Sequence, residues 1–443
     1  MKKYVIVGKN KLEGKIRAGG AKNVALKVII AACLTEEVVT IENIPLISDV
    51  FVMLELVREI GGSYTISDHS VTIHVPQITN TSISLEAGAK TKTSSMFLAP
   101  LLARTKKAKI PNPGGCRIGA RPIDRHIQGL EKMGAVIGYH SEDGYFTAST
   151  EGLKGCEYEF DKNTHTGTET LIIAAATAIG TTKILNAAEE PEIDDLIGFL
   201  NSMGAKIRRE AGRKIVIVGV EKLHGTTYSI MSDSNEIVTW AILSALSGGG
   251  ITITHVSPEP LAIFLQQFRA AGGDLEQTDD SFRFYNTSNF KPVNITTGIH
   301  PGFMTDWQGP WAVLATQSDG ISIIHETIYE NRFGYVSELK KMGAKIKFFN
   351  PKVDNPVAVY NFNWDNNTNS TKQAIEITGP NNLHDAVVVV SDLRAGATLV
   401  LAALIAKGKT IIYGVEQIER GYEDFPRKLA SLGADIEVIE EKV

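Results

Sequence analysis

The sequence predicts an α/β fold made of six copies of one unit, arranged as two domains of three copies each. Three observations lead to this prediction. A glycine-containing turn and an almost wholly apolar helix each occur six times along the 443 residues, at intervals of about 70 residues. An additional strand precedes the first copy. Because a single hydrophobic core stops growing at about 300 residues, a chain of this length is expected to divide.

Each glycine-containing turn follows a helix of mixed charge and precedes a short alternating strand. Glycine directly after a helix adopts the left-handed conformation that ends many helices, because it has no Cβ atom. The first glycines of the six turns are Gly61, Gly134, Gly204, Gly272, Gly343 and Gly433. The last interval is longer because it contains the segment 350–372, which is rich in asparagine. We expect this segment to be a tolerated surface excursion.

The second repeated element is a helix without a polar face, a pattern typical of a helix buried on all sides. The six segments are 25–34, 96–103, 170–179, 238–246, 311–316 and 397–406. A short strand follows each of them, at 39–41, 109–111, 183–185, 251–254, 321–324 and 410–413. Three such helices in each domain are expected to pack on one another, with the sheets outside.

The predicted strand 4–7 precedes the first copy and needs a pairing partner. Pairing with the last copy would bring the two ends of the chain into one domain. The expected domains are therefore residues 22–231 and a discontinuous domain of residues 1–21 and 232–443.

Composition excludes several classes of protein. A net charge of −5 at pH 7 argues against a dedicated binder of nucleic acid or of an anionic membrane. No apolar run reaches the length of about 18 residues that a membrane span needs. The three cysteines form neither a disulfide framework nor a zinc-binding pattern, and the histidines show no metal-ligand spacing. We expect a cytoplasmic protein without a metal or cofactor.

A glycine-rich loop at 113–122 is the first candidate for a reactive site. It contains Gly114, Gly115 and Cys116, followed by Arg117 and Arg121. Positive charge near a thiol lowers the pKa of the thiol and makes it more reactive. The alternative interpretation is a surface turn with an incidental cysteine, and the pattern alone leaves both open.

Basic residues recur where the apolar helices begin. Lys22, Lys92 and Arg394 occupy equivalent positions in three copies. The N-terminus of a helix offers free N–H groups and the positive end of the helix dipole, so an added cation there favours anion binding. Cations also flank buried helices for solvation alone, and this alternative stays open.

Carboxylates occupy the corresponding position in two other copies. Asp306 precedes the helix of the fifth copy, and Glu236 lies near the start of the fourth. Each carboxylate is either a helix N-cap, which contributes about 1 kcal/mol, or a general base. Position alone favours the cap.

With these motifs in view, the chain resembles the UDP-N-acetylglucosamine 1-carboxyvinyltransferase family of enolpyruvyl transferases. The matching segments are 20–23, 113–122, 190–193, 305–306, 330–333, 392–395 and 420–423. The resemblance implies two inside-out α/β barrel domains of three units each. It also implies a reaction in which phosphoenolpyruvate and UDP-N-acetylglucosamine give enolpyruvyl-UDP-N-acetylglucosamine and phosphate by addition and elimination, at the start of peptidoglycan precursor synthesis.

The resemblance implies a role for individual residues. Cys116 resembles the loop thiol that acts as general acid and is alkylated by fosfomycin, and Asp306 resembles the carboxylate at the sugar 3-hydroxyl. With Lys22 and Arg394 they form the implied catalytic set. The residues implied to hold phosphoenolpyruvate are Lys22, Asn23, Arg121 and Arg394. Those implied to hold the UDP-sugar are Lys92, Arg121, Pro122, Ile123, Asp124, Arg125, Lys162, Thr166, Asp306 and Ile328.

Some positions depart from the family pattern. Lys92 replaces a usual arginine and loses its bidentate geometry, Met96 replaces a tryptophan, and Ser234 replaces an arginine. Residues 163–167 read Asn-Thr-His-Thr-Gly and not the commoner Val-Ser-Val-Gly. Three alternatives stay open: the shikimate-pathway enolpyruvyl transferase, which Asn23 and Cys116 disfavour, a non-catalytic UDP-sugar-binding relative, and a transferase for another nucleotide sugar.

Overall fold

The computed structural model describes residues 2–114, 122–286, 288–364 and 371–440. These residues form two compact units. The first, here called the N-terminal unit, contains residues 20–114 and 122–231. The second, the C-terminal unit, contains residues 2–19 and the described residues from 232 onwards.

The described residues contain fourteen α-helices. They are α1 (Lys22–Ala32), α2 (Ser48–Glu59), α3 (Leu85–Gly88), α4 (Leu98–Thr105), α5 (Asp124–Lys132), α6 (His165–Ala175), α7 (Pro191–Ser202), α8 (Ser234–Leu246), α9 (Ala262–Ala270), α10 (Gln308–Thr316), α11 (Val336–Lys341), α12 (Pro356–Val359), α13 (Leu393–Ile405) and α14 (Phe425–Ser431). Short 3-10 helices lie at Lys92–Phe97, Glu259–Leu261, Thr305–Trp307 and Val415–Arg420.

The strands of the described residues follow in chain order. They are β1 (Lys2–Val7), β2 (Glu13–Arg17), β3 (Val39–Glu42), β4 (Ser63–Ser67), β5 (Ser70–His74), β6 (Lys107–Pro111), β7 (Ala135–His140), β8 (Tyr145–Thr150), β9 (Glu157–Glu159), β10 (Thr181–Leu185), β11 (Lys206–Glu210), β12 (Lys214–Val218), β13 (Thr227–Ser229), β14 (Gly250–Thr254), β15 (Gly273–Gln277), β16 (Ser281–Asn286), β17 (Ile295–Thr296), β18 (Gly320–His325), β19 (Lys345–Phe349), β20 (Ala374–Gly379), β21 (Val387–Val389), β22 (Lys409–Tyr413) and β23 (Asp435–Glu440).

Each unit contains three small sheets. The strand orders are β13-β3-β5-β4, β6-β8-β7 and β11-β12-β10-β9 in the N-terminal unit. In the C-terminal unit they are β15-β16-β14-β2, β17-β18-β20-β19 and β21-β22-β1-β23. Each of the five four-stranded sheets contains one parallel pair of strands, and its other pairs are antiparallel. In the three-stranded sheet, a single parallel bridge between Ser82 and Lys109 replaces the parallel pair. The protein is therefore a mixed α/β structure built by repetition.

The predicted apolar helices are buried, and five of the six begin earlier than predicted. All residues of α10 and α13 are buried, and so are nearly all those of α8. Helix α13 begins at Leu393 and α1 at Lys22. The predicted segment 96–103 is divided between a 3-10 turn and α4, because the ring of Pro100 is incompatible with an α-helical carbonyl four residues earlier.

The backbone confirms the glycine turns and the pairing of the first strand. The first glycines of the six turns all have positive φ, between the 93° of Gly134 and Gly343 and the 103° of Gly61. Strand β1 lies between β22 and β23, with Val5 opposite Ile411 and Glu437. The extra strand therefore completes the sheet of the last copy, as predicted.

The segment 350–372 is more than a surface excursion. In its described part, Tyr360 and Phe362 are buried, and the Tyr360 ring stacks on Trp364 with centroids 4.5 Å apart. The Tyr360 hydroxyl lies 3.2 Å from Nε2 of His325, at the end of β18. The composition correctly predicted an irregular segment but not its aromatic anchor.

Among the described residues, no helix has both the length and the hydrophobicity of a membrane span. The same residues contain no group of three or more His, Cys, Asp or Glu side chains placed to hold a metal ion.

Candidate active site

A network of buried charges lies where α10 and α13 begin in the C-terminal unit. The carboxylate of Asp306, on the 3-10 turn before α10, contacts two arginines. Its Oδ1 lies 2.5 Å from Nη2 of Arg332, and its Oδ2 lies 3.5 Å from Nε of Arg394. Because the two arginine side chains are only 5% and 7% exposed, this carboxylate offsets charge that water cannot reach.

Asp392 joins this network to the backbone of α13. Its Oδ1 accepts from the N–H groups of Arg394 and Ala395 at 3.0 and 3.1 Å, so Asp392 is the N-cap of the helix. The same oxygen lies 3.3 Å from Nη1 of Arg332. Asp392 therefore caps α13 and also contacts Arg332.

Arg394 is further fixed by Tyr422. Its Nη1 donates to the buried Tyr422 hydroxyl at 3.1 Å, and that hydroxyl is 2.8 Å from Oγ1 of Thr239. Burial raises the pKa of Tyr422, so the phenol stays neutral at physiological pH. Arg394 lies in the first turn of α13, where its charge adds to the positive end of the helix dipole.

A small cavity opens beside this network. Its lining residues are Thr305, Gln308, Gly309, Arg332, Tyr335, Arg394 and Ala395. Two guanidinium groups and two helix starts in one cavity make a site suited to a small anion.

The cap interpretation of the two carboxylates is wrong. No side-chain hydrogen bond from the described residues caps the turn Thr305–Trp307 or α10, and Asp306 contacts arginines instead. Helix α8 is capped by Asp233. The Glu236 carboxylate accepts from the Gly19 N–H at 2.9 Å, from Nε1 of Trp240 at 3.0 Å and from Lys428 at 2.7 Å, which is a structural role.

Lys22 begins α1 in the N-terminal unit, and Asn23 follows it. The Lys22 ammonium lies 2.7 Å from Oδ2 of Asp49, and both side chains are nearly buried. The preceding Gly20 is required because a Cβ there would stand 1.7 Å from the carbonyl oxygen of Asn43. The Ala21 N–H donates to the Met231 carbonyl at 2.7 Å, which fixes the start of the helix.

The structure brings together two of the segments implied to hold the UDP-sugar. Arg125, in the first turn of α5, makes a bidentate contact with Asp161 at 2.5 and 2.9 Å. His126 Nε2 lies 2.9 Å from Oγ1 of Thr166. The contact with Arg125 lowers the pKa of Asp161. Segments 122–126 and 161–166 are thus joined by two side-chain contacts.

The other implied residues of this group lie around the same helices. Pro122 and Ile123 directly precede α5, which begins at Asp124, and Lys162 lies in the turn before α6. Lys92 begins the 3-10 turn ahead of α4, and the buried Met96 follows in that turn. Ile328 lies beyond β18 in the C-terminal unit.

The unusual residues at 163–167 have structural partners. Thr164 caps α6 by accepting from the Gly167 N–H at 3.2 Å. His165 points toward the core, with Nε2 3.5 Å from Oε1 of Glu169. The other Glu169 oxygen lies 3.3 Å from the ammonium of the buried Lys27. Burial raises the pKa of Glu169 to about 7.

Four residues named for the predicted glycine-rich loop, Gly115, Cys116, Arg117 and Arg121, lie outside the described residues. The other two cysteines are described. Burial raises the pKa of Cys33 to about 12 and also raises the pKa of the half-buried Cys156. Neither is therefore a ready nucleophile at neutral pH.

Comparison with known proteins is consistent along the whole chain. The family model described as EPSP synthase (3-phosphoshikimate 1-carboxyvinyltransferase) matches residues 6–429. A UDP-N-acetylglucosamine 1-carboxyvinyltransferase of Acidobacterium capsulatum is 41% identical, over 98% of this chain and 96% of that protein. One from Koribacter versatilis is also 41% identical, over 100% of this chain and 97% of that protein.

Solved structures show the same fold at lower identity. The enolpyruvyl transferase NikO from Streptomyces tendae matches with a TM-score of 0.85 at 23% identity, over 100% of this chain and 99% of that chain. The EPSP synthase of Acinetobacter baumannii matches with a TM-score of 0.76 at 18% identity, over 99% and 100%. With its end-to-end match to the family model and its full-length identity to curated relatives, the chain belongs to the UDP-N-acetylglucosamine 1-carboxyvinyltransferase family of enolpyruvyl transferases.

Proposed function

We propose that this protein transfers the enolpyruvyl group of phosphoenolpyruvate to the 3-hydroxyl of UDP-N-acetylglucosamine and releases phosphate. The observation that carries the proposal is the Asp306 carboxylate held between Arg332 and Arg394, in a chain 41% identical to enzymes named for this transfer. The reaction would be the first committed step of peptidoglycan precursor synthesis, carried out in the cytoplasm on two small-molecule substrates.

The reaction needs a base, an acid and cations. In the addition step the sugar 3-oxygen bonds to C2 of phosphoenolpyruvate, its proton leaves to a base, and an acid protonates C3. In the elimination step C3 loses a proton and the C2–O bond to phosphate breaks. We assign the base to Asp306, which the arginines keep in place, and the acid to Cys116 on its resemblance to the family's loop thiol.

The anionic groups of phosphoenolpyruvate would be held by Lys22, Asn23, Arg121 and Arg394. Arg394 is suited to this role because its guanidinium and the N-terminus of α13 line one cavity. The Lys22 ammonium contacts the Asp49 carboxylate, and the negative charge of that carboxylate reduces the attraction of Lys22 for an anion.

The UDP-sugar would be held by the α5–α6 region, Lys92, Asp306 and Ile328. The α5–α6 contribution consists of Arg121, Pro122, Ile123, Asp124, Arg125, Lys162 and Thr166. The contacts of Arg125 with Asp161 and of His126 with Thr166 support this grouping, because they set the two segments side by side.

We also propose the finer description of the fold: each unit is an inside-out α/β barrel, with domains of residues 22–231 and of 1–21 with 232–443. The three sheets in each unit and the fully buried helices α10 and α13 support this arrangement.

The test is phosphate release from phosphoenolpyruvate with UDP-N-acetylglucosamine as acceptor, compared with shikimate 3-phosphate. We expect release only with the nucleotide sugar, because identity is 41% to transferases named for it and 18% to the EPSP synthase of Acinetobacter baumannii. Phosphate release with shikimate 3-phosphate but not with UDP-N-acetylglucosamine would show that the proposed acceptor is wrong. Tight binding of UDP-N-acetylglucosamine without phosphate release would establish the non-catalytic alternative.

A further inference from the structure

We infer that Glu326 is a positioning residue that locks the turn carrying Asp306 to the loop carrying Ile328, and this inference rests on the proposed function. Glu326 directly follows β18, and its side chain is 0% exposed. Neither composition nor motif spacing drew attention to it. Its hydrogen bonds join two segments that the chemistry needs at a fixed separation.

The two oxygens of Glu326 serve different segments. Oε1 accepts from the N–H groups of Ile328 and Tyr329, at 2.7 and 3.0 Å. Oε2 accepts from the Thr305 hydroxyl at 2.9 Å and from Nε2 of Gln308 at 2.8 Å. Thr305 is the immediate neighbour of Asp306, and Gln308 begins α10. One carboxylate therefore holds both segments.

The surroundings favour a carboxylate at this position. The Tyr335 hydroxyl donates to Oε1 of Gln308 at 2.8 Å, which leaves the Gln308 amide nitrogen facing Glu326. Three of the four donors, the N–H groups of Ile328 and Tyr329 and the Gln308 amide, can only donate, and an ionised carboxylate accepts from all of them. An amide would place its own N–H groups against one pair of donors.

Charge around Glu326 is consistent with this role. Burial raises its pKa, while the Ile328 N–H, the positive charge of Arg332 and the Thr305 hydroxyl oppose that shift by stabilising the ionised form. Arg332 also holds Oδ1 of Asp306 at 2.5 Å. Glu326 therefore constrains Asp306 through Thr305 and lies in the field of the arginine that binds Asp306.

Glu326 thereby fixes the distance between Asp306, the proposed base, and the loop that carries Ile328. General-base catalysis depends on placing the base within hydrogen-bond reach of the proton, and a displacement of about 1 Å can cost about 100-fold in rate. A looser 305–308 turn should lower kcat. A looser Ile328 loop should raise KM for the nucleotide sugar.

The test is Glu326→Gln, with Glu338→Gln as its matched control. The glutamine keeps its volume and one acceptor oxygen for the Ile328 and Tyr329 amides, but its NH₂ group faces Thr305 and Gln308. Glu338 is also a buried carboxylate that accepts a backbone N–H, from Val389 at 3.0 Å, and it pairs with Lys341 instead of a site residue. Both variants remove one negative charge from the C-terminal unit.

We expect Glu326→Gln to lower kcat by about 10- to 100-fold and to raise KM for UDP-N-acetylglucosamine less than about threefold, because Oε1 contacts survive. Thr305→Val, which removes one donor and keeps the carboxylate, should give a smaller loss of kcat. Glu338→Gln should keep both constants within about twofold. A kcat for Glu326→Gln within twofold of the wild-type value would overturn the inference.

Hydrogen exchange gives a second measurement that needs no activity. Amides of residues 305–308 should exchange faster in Glu326→Gln, and those of 328–329 should change little, since Oε1 keeps its partners. Unchanged exchange at 305–308 would overturn the positioning role. An inactive wild-type protein would overturn the proposed function, and exchange would still decide whether Glu326 holds the turn.

Discussion

Substituting Asp306 by asparagine removes the charge on which the proposed chemistry depends and nearly preserves its shape. The asparagine oxygen can still accept from Nη2 of Arg332, which now lies 2.5 Å from Oδ1. The contact of Oδ2 with Nε of Arg394 at 3.5 Å becomes an encounter between two donors. The variant thus loses one ionic contact and the negative charge that compensates two buried arginines.

The expected loss of stability follows from these contacts. A hydrogen bond to a charged group contributes about 1.5–3 kcal/mol. Because the Asp306 side chain is 24% exposed and the asparagine keeps one acceptor, we take the lower end, about 1–2 kcal/mol. For a domain of about 150–250 residues this corresponds to a fall in melting temperature of about 2–8 °C.

The expected loss of activity is larger. A general base contributes about 100-fold or more, so kcat should fall by at least that factor, equivalent to about 2.7 kcal/mol of transition-state stabilisation. Phosphate release measured at 25 °C, with the folded fraction checked by circular dichroism, separates catalysis from stability. Glu276→Gln is the control, because it removes a charge from a surface pair with Arg283 in the same unit. Turnover of Asp306→Asn within about threefold of wild type would refute its role as base.

Two further predictions concern buried and reactive groups. At about pH 8, where Glu169 is mostly ionised, Glu169→Leu should lower the free energy of unfolding by about 3–5 kcal/mol, because it leaves Lys27 buried without its carboxylate. The double variant Lys27→Met/Glu169→Leu should match the wild type in chemical denaturation at the same pH. Burial raises the pKa of Glu169 from 4.5 to about 7, so the native state binds this proton more tightly than the unfolded state does. The stability of the wild type should therefore fall as the pH rises from about 4.5 to about 7. The double variant lacks the carboxyl group and should not show this fall. A double variant as unstable as the single one would contradict the ion-pair argument. Fosfomycin should alkylate Cys116 alone, because burial raises the pKa of Cys33 and of Cys156, and mass spectrometry showing equal labelling of either would contradict this selectivity.

The repeat could be predicted from sequence because its signals are local. A glycine after a helix and a helix without a polar face constrain the backbone within a few residues of themselves. Helix starts were misplaced because the residues that begin them are polar. Asp392 caps α13 and Asp233 caps α8, ahead of the apolar run by which each helix was recognised.

Pairing in the candidate site could not be predicted from sequence. The recurring cations marked Lys22 and Arg394, but the Lys22 partner Asp49 lies on another helix, and Arg332 is 26 positions from Asp306. Such pairs are set by how elements pack, which composition and spacing do not encode. Glu326 is the extreme case, since its role is apparent only from the four hydrogen bonds it accepts.

The charges of the network suggest how substrate binding could prepare the base. Asp306 contacts both arginines and Asp392 contacts Arg332, at distances of 2.5 to 3.5 Å. An anion that binds Arg394 competes with Asp306 for the same guanidinium, and the 3.5 Å contact is the longest of the three. Arg332 would still hold Oδ1, so Asp306 would keep its position while Oδ2 turns from Arg394 to the sugar hydroxyl. On this proposal, the carboxylate that offsets the charge of Arg394 would become the base once the anion takes over that contact.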